Sequence, residues 1–313
     1  MSTETEKDAE TAAAAASAAA SADAPAAKRP RQQREDEFFG ERHVYEPHRV
    51  GLPPLRQYLK ELWRRRDFAY ELSRTKLRAQ HFNTAFGQLW LVLNPLLLAG
   101  VYFILVDILR SGTRGPGFFA HLMACIFAYY FVSGSIRDAV KSVVSGGKLV
   151  LNTAFPRMLL PLSSVVTAFK KFLPTIIIYI PVHIATGLPV GPHLLWIFPI
   201  FALLALVAAG LSMLVAAVQV YFRDLSSFLP YALRIWLYIS PILYYAEDVP
   251  EKYRPILEFN PIGPLLTAWS DVLNRGEMPH FADLAGGLAW AVVLVVGSGL
   301  FFMSRERDFA VRI

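Results

Sequence analysis

Residues 194–220 read LLWIFPIFALLALVAAGLSMLVAAVQV, an unbroken run without a single charged side chain. As a helix, twenty-seven residues at ~1.5 Å each extend about 40 Å, more than the ~30 Å hydrocarbon core of a bilayer. The apolar residues do not gather on one face. They occupy every side, as in a helix surrounded by lipid or by other spans. Five further apolar blocks lie outward from it, at 89–108, 118–136, 161–185, 228–245 and 284–303. The expected fold is therefore all-α, a polytopic membrane protein with six transmembrane helices. Ionisable side chains interrupt two of the six blocks, Lys170 and Lys171 in the third and Arg234 in the fifth.

Composition agrees with this reading. Of 313 residues, 54% are hydrophobic and 18% charged, a more apolar balance than the roughly 45–50% of soluble domains. The net charge of +6 does not point to nucleic acid, because the basic residues stand beside apolar blocks and form no separate basic domain. Anionic lipid headgroups suit that placement better. A single cysteine, Cys125, lies in an apolar run; it cannot build a disulfide framework and reads as a small buried apolar residue.

Residues 1–27 are dominated by Ala, Ser, Thr, Asp and Glu, with nothing large and apolar after Met1. Such a segment cannot offset the entropy of ordering, so 1–50 is expected to be a disordered cytoplasmic extension. Glu4, Glu6, Asp8 and Glu10 occupy the start where a secretory signal would be basic. From Leu55 the pattern changes: Leu55, Leu59, Leu62 and Trp63 share a helical face opposite Arg56, Lys60 and Arg64, which predicts an amphipathic interfacial helix. With six crossings, one side carries sixteen Lys and Arg residues outside the tail and the other five. The positive-inside rule then places both termini in the cytoplasm.

Chemical motifs are few. Ser145-Gly146-Gly147-Lys148 is not a phosphate-binding loop, because Leu149 replaces the required hydroxyl and the earlier glycine is missing. The histidines are scattered without metal-ligand spacing. No catalytic residue and no metal site is expected. The segment 247–283 carries Pro250, Pro255, Pro261, Pro264 and Pro279 among apolar residues, including Ile256, Leu257, Ile262, Leu265, Leu266 and Trp269. Those are too many to leave in water, so short helices dipping back into the membrane are expected.

Four stretches together carry a resemblance: GQLWLVLNPL at 87–96, FPRMLLP at 155–161, YFRDL at 221–225 and SPILYYAEDVPEKYRPILEFNP at 240–261. In their order they resemble the permease subunit of type-2 ABC exporters of polysaccharides, the group that handles O-antigen, teichoic acid and cell-wall galactan. The resemblance covers about residue 71 to the C-terminus and leaves the N-terminal extension outside. It implies that 51–313 is an ABC-2-type permease domain and that the chain pairs with itself. It also implies docking on a dimer of separate ABC ATPase subunits, which hold the ATP and magnesium, with no cofactor on this chain. The substrate it implies is a lipid-linked glycan, exported across a bacterial plasma membrane.

Carried to this sequence, the resemblance assigns ATPase docking to Leu149, Leu151, Phe155, Pro156 and Arg157, and structural roles to Arg223, Asp224, Pro241, Asn260 and Pro261. Charges inside spans mark a bundle interior or a water-filled path. Lys170, Lys171 and Arg234 are therefore expected to attract the pyrophosphate of the substrate, with Tyr129, Tyr130, Trp236, Tyr238 and Tyr244 as stacking surfaces for sugars. The competing readings are snorkelling lysines, an Arg234 paired inside the dimer and aromatic anchors at the interfaces. The family commonly carries uncharged polar residues where these charges stand. An exporter of small lipids or drugs and a membrane glycosyltransferase are the alternative functions, and a scaffold without transport is a third.

Overall fold

The computed structural model describes residues 54–80, 89–109, 116–147, 149 and 155–312, all within the unit Gly51–Ile313. The extension expected over 1–50 and the docking candidate Leu151 lie outside the described residues. Among the described residues the helices, in order, are α1 (Leu55–Arg64), α2 (Arg66–Gln80), α3 (Trp90–Leu109), α4 (Pro116–Val140), α5 (Ser142–Ser145) and α6 (Leu159–Ala185). They continue with α7 (Ile197–Tyr221), α8 (Leu225–Ile239), α9 (Arg254–Glu258), α10 (Gly263–Ser270), α11 (Phe281–Arg305) and α12 (Phe309–Arg312). No strand occurs among these residues.

Five helices are long and apolar enough to cross a membrane: Trp90–Ile108, Gly117–Val140, Leu159–Ala185, Pro192–Tyr221 and Phe281–Arg305. The block expected at 228–245 is different. Its helix, α8, has 15 residues, about 22 Å at ~1.5 Å per residue and short of a full crossing. It stops because Pro241 follows Ser240, whose backbone (φ −80, ψ 150) is extended. A residue before proline is driven out of the helical region by the proline ring.

α4 is the hub of the bundle, with α3, α6, α7, α8 and α10 packed around it. Its interior run Leu122, Met123, Ala124, Cys125, Ile126 and Phe127 is almost wholly inaccessible. α3, α6 and α11 instead leave one side bare, with Ile104 and Ile108, Ile177 and Ile184, and Val293 and Val296 exposed. Apolar surface of that kind suits contact with lipid. Lipid removes most of the hydrophobic drive between helices, so close packing has to hold them together. The contact of α7 with α11 shows it. A Cβ built on Gly210 would lie 2.7 Å from the Leu294 backbone and side chain.

A second core closes one end of the bundle. Met158 and Leu160 at the start of α6, Met213 and Val220 of α7, and Phe302 and Phe309 near the C-terminus form it. Tyr58, Leu62 and Leu72 of α1 and α2 pack onto it. The amphipathic reading of α1 is therefore refined: Leu55, Leu59 and Trp63 face outward, while Leu62 turns inward. The proline-rich segment buries Leu257, Ile262, Leu265, Leu266 and Trp269, and leaves Ile256 exposed. Its helix α10 lies against α4, α7 and α11.

Gly210→Ala should lower the thermal stability of the detergent-purified protein by about 1–3 kcal/mol, the range for overpacking. Gly100→Ala, where a Cβ meets nothing within 4 Å, should leave the melting temperature unchanged or slightly higher.

Candidate functional site

Three helices present one face each to a cavity of about 310 Å³. α4 contributes Phe127, Tyr130, Phe131, Gly134, Arg137 and Asp138; α6 contributes Ala168, Lys171, Phe172 and Thr175; α3 contributes Trp90, Leu91, Asn94 and Pro95. The spacings of three and four residues are those that bring side chains to one side of a helix. Gly134 keeps the middle open, since a Cβ there meets nothing within 4 Å.

The polar groups sit at one end of this cavity. Lys171 Nζ lies 2.8 Å from Asp138 Oδ2, and both side chains are about a quarter exposed (24% and 22%). Asp138 is the only acidic residue between Asp107 and Asp224. Arg137 is exposed and also lines the cavity, so the lining carries two cations and one carboxylate. A third cation stands close by on α2: Lys76 Nζ donates to Ser163 Oγ at 3.1 Å and Ser164 Oγ at 3.4 Å. Burial lowers its pKa from the ordinary lysine value; Asp138 raises it again and Lys171 adds to the lowering. The cavity end is therefore cationic and walled by Trp90 and Tyr130. That combination suits a phosphate group, with an aromatic surface beside it.

The residues expected to form one path fall into three places. Lys171 and Tyr130 line the cavity. Lys170 does not: its Nζ is 3.5 Å from the centre of the Tyr70 ring and 3.2 Å from the Tyr70 carbonyl oxygen, tied to α2. Arg234, on α8, is exposed and close enough for its charge to act on Tyr102 and Tyr130, so it stands beside the cavity without lining it. Tyr238 reaches Tyr102, with the two hydroxyl oxygens 3.1 Å apart.

The remaining aromatics make hydrogen bonds within the protein. Tyr129 donates to the Leu233 carbonyl. Trp236 Nε1 donates to Asn260 Oδ1 at 2.8 Å, and Asn260 Nδ2 donates to Ser240 Oγ at 2.9 Å. Asn260 thereby joins the end of α8 to the segment that begins with half-buried Pro261. Tyr244 donates to the Ile239 carbonyl at 2.7 Å, and Pro241 is buried. Arg223 and Asp224 sit in the turn between α7 and α8. Arg223 Nη2 donates to the Arg312 carbonyl at 3.1 Å.

The docking candidates lie at the end of the bundle closed by the second core. Phe155 packs on Phe68 with ring centres 5.2 Å apart, and Pro156 is buried. The Arg157 amide donates to Glu306 Oε1 at 2.5 Å, its guanidinium donates to the Glu306 carbonyl, and Tyr58 donates to Glu306 Oε2 at 2.6 Å. Leu149 is half-buried against the same core. The turn is thus pinned by Glu306, with burial raising that carboxyl's pKa and the bonds to Tyr58 and Arg157 opposing the rise. Arg137, Asp138, Asn94, Lys76 and Glu306 were all missed as site residues. Only Asp138 carried a usable signal, as the lone acid available to balance the lysines of the third span.

At the opposite end of α4, His121 Nδ1 is 2.7 Å from Ser270 Oγ, and its ring centre is 4.4 Å from that of Tyr245. Arg275 bridges Glu247 (Nη2 to Oε2, 2.8 Å) and Asp271 (Nε to Oδ1, 3.6 Å). Burial pushes the Asp271 carboxyl up to about 6 against the pull of Arg275.

A bundle with five membrane-length apolar helices is a polytopic membrane protein. The chain belongs to the ABC-2 type transporter family, whose pattern matches residues 71–273. It is 25% identical over 236 residues to an O-antigen export system permease protein of Klebsiella pneumoniae, covering 75% of this chain and 91% of that protein. It is 26% identical over 258 residues to an O-antigen export system permease protein of Myxococcus xanthus, covering 80% and 97%.

Asp138→Asn should cost about 1–3 kcal/mol, less than the ~3–5 of a fully buried broken pair. The double variant Asp138→Asn with Lys171→Met should recover most of that loss in thermal unfolding. For Asp271 the folded pKa lies above the ordinary 3.8, so its stabilising contribution is complete below that value and lost as pH rises through about 6. Asp271→Asn should therefore melt higher than wild type at pH 8, with the difference vanishing toward pH 4.

Proposed function

We propose that this chain is the membrane permease of an exporter that carries a lipid-linked polysaccharide, of the O-antigen kind, from the cytoplasm to the outer face of a bacterial plasma membrane. The observation that carries the reading is the near-complete coverage, 91% and 97%, of relatives that are O-antigen export permeases. ATP is hydrolysed on separate ABC ATPase subunits, and two copies of the chain enclose the path between them. The permease domain is 51–313, and 1–50 is an N-terminal extension to it.

The end bearing α1, α2, Arg157, Arg223 and Arg305 is the cytoplasmic one, by its excess of basic residues. Both termini then lie inside the cell. α8, which leaves the cytoplasmic turn at Arg223, makes the sixth crossing together with the residues that follow it, and the proline-rich segment is a gate on the outer side. The ATPase docks around the 149–157 turn. Because Phe155 and Pro156 are partly or wholly buried there, the contact transmits movement through Phe68 and Glu306 to α2 and α11.

At the cytoplasmic end the substrate's pyrophosphate meets Arg137 and Lys171. The gain is electrostatic, since a charge-assisted bond in a partly dry cavity is stronger than one in water. Arg234 and the tyrosines Tyr102, Tyr130 and Tyr238 continue an aromatic and cationic surface along α8. Such a surface holds sugars by stacking without fixing one position.

In cells expressing Arg137→Gln at wild-type abundance, surface glycan should fall about tenfold, the equivalent of one charged hydrogen bond at ~1.4 kcal/mol. Undiminished glycan in both Arg137→Gln and Arg234→Gln cells would remove the cationic cavity from the path. Topology is checked with a membrane-impermeant thiol reagent, since native Cys125 is buried. Met278→Cys should label from outside intact cells, and Leu55→Cys only after lysis.

A further inference from the structure

After α11 the chain turns sharply. The Asp308 amide donates to the Arg305 carbonyl at 3.0 Å and the Val311 amide to the Asp308 carbonyl at 3.1 Å, so 305–312 is a compact piece that includes α12. That helix has four residues, too few to persist on its own backbone bonds, and its contacts set its place. Phe309 supplies the main one. It is wholly buried in the second core, with its ring centre 5.1 Å from that of Phe302 and 6.4 Å from that of Tyr221.

The polar groups of this piece reach two turns that are far apart in sequence. Glu306 accepts from the Arg157 amide and the Tyr58 hydroxyl, which holds the turn at 155–157. Asp308 Oδ2 accepts from the Tyr221 hydroxyl at 3.1 Å, and the Arg312 carbonyl accepts from Arg223 Nη2 at 3.1 Å, which holds the turn between α7 and α8. The Arg312 guanidinium also lies 4.7 Å from the centre of the Tyr221 ring, and Arg305 stands 3.8 Å from Asp308. Among the described residues the other side-chain bonds of the α7–α8 turn stay local: Gln219 Nε2 and Ser226 Oγ donate to the Arg223 carbonyl at 2.8 and 3.3 Å. The second core joins the same elements through Met158, Val220 and Phe309. Dispersion contacts tolerate sliding, whereas hydrogen bonds weaken steeply when bent. The polar bonds therefore set how one turn stands to the other.

We propose that 305–312 is a positioning element that ties the α7–α8 turn, and through it α8, to the turn at 155–157. Glu306 is its contact on one side; Asp308 and the Arg312 carbonyl are its contacts on the other. The inference rests on the function proposed above, in which the ATPase docks around 149–157, and adds how that contact reaches the helix that carries Arg234. Phe309 is the fixed point. With its ring held in the core, a shift of Glu306 is passed to Asp308 instead of being taken up by slack in the chain. A segment that only plugged the core would act differently: cutting its polar bonds would lower stability and leave transport in step with ATP hydrolysis.

The test uses inverted membrane vesicles from the native cells, holding the full-length chain with its ATPase subunits, in which ATP hydrolysis and glycan delivered to the lumen are measured together. Tyr221→Phe with Arg223→Ala frees the α7–α8 turn while Phe309 keeps its aromatic neighbour and the 155–157 turn keeps its bonds. Glycan delivered per ATP should fall about fivefold, as for two hydrogen bonds of modest net strength, with hydrolysis within about twofold of wild type. The melting temperature of the purified double variant should move by less than about 4 °C. Ser227→Ala, exposed at the start of α8, should match wild type throughout. Glu306→Gln should also lower glycan per ATP, and adding it to the double variant should lower the ratio little further, because both changes cut one link. Unchanged glycan per ATP in the double variant, hydrolysis and transport falling in proportion, or losses that multiply when all three substitutions are combined each overturn the inference. Wild-type vesicles that deliver no glycan with ATP overturn the proposed function instead, so the two failures are separable.

Discussion

Polar groups inside an apolar bundle have to find partners within it, and in this protein that requirement falls on α4. The helix is enclosed by five others, so whatever it carries must be satisfied by them. From Leu122 to Phe127 it carries Leu, Met, Ala, Cys, Ile and Phe, which ask for nothing but contact, and beyond them Tyr129 donates to the Leu233 carbonyl and Ser135 to the Phe131 carbonyl. At its two ends it carries groups that do ask. Asp138 takes the ammonium of Lys171, and His121 takes the hydroxyl of Ser270. These two contacts fix the register of α6 and of the proline-rich segment against the hub.

The same economy explains the seams elsewhere. α7 meets α11 where Gly210 lets the backbone of Leu294 approach, a contact that gains dispersion energy even where lipid offers no hydrophobic drive. Asn260 serves two neighbours at once, Trp236 and Ser240, so the end of α8 and the start of the proline-rich segment move together. Glu306 does the corresponding work at the basic end, holding Tyr58 and Arg157 with one carboxylate. A disturbance at the 155–157 turn is therefore felt by α1, α2 and the last long helix together.

The cationic cavity follows from the pairing of α4 with α6. Their faces carry Gly134 and Ala168 where they would otherwise touch, and the space that remains is bounded by charges at one end. A larger cavity of about 680 Å³ lies on the far side of α6. There His183 and Tyr179 have turned their polar atoms to each other and to the Pro189 carbonyl. α6 thus stands between a cavity lined partly by charges and a largely apolar one, with Phe172 lining both.

Much of this was written in the order of the residues. The run at 194–220 demands an apolar surrounding along its whole length, and the basic residues flanking the spans set their likeness to one another at one end. The proline-rich 247–283 stretch, with its load of Leu, Ile and Trp, had to be buried. These are local facts, because hydropathy and helical rise act residue by residue. What the sequence alone left open was pairing. Lys170 and Lys171 are adjacent and chemically identical, yet one lies over Tyr70 on α2 and the other meets Asp138, because successive residues on a helix point about 100° apart. Trp236 and Tyr129, read from the sequence as stacking surfaces, also bond to Asn260 and to the Leu233 carbonyl, partners that no local pattern announces. Partners some thirty to two hundred and fifty residues apart, as in Asp138 with Lys171 and Tyr58 with Glu306, are brought together only by the packing of whole helices, and only the tertiary structure decides which face meets which.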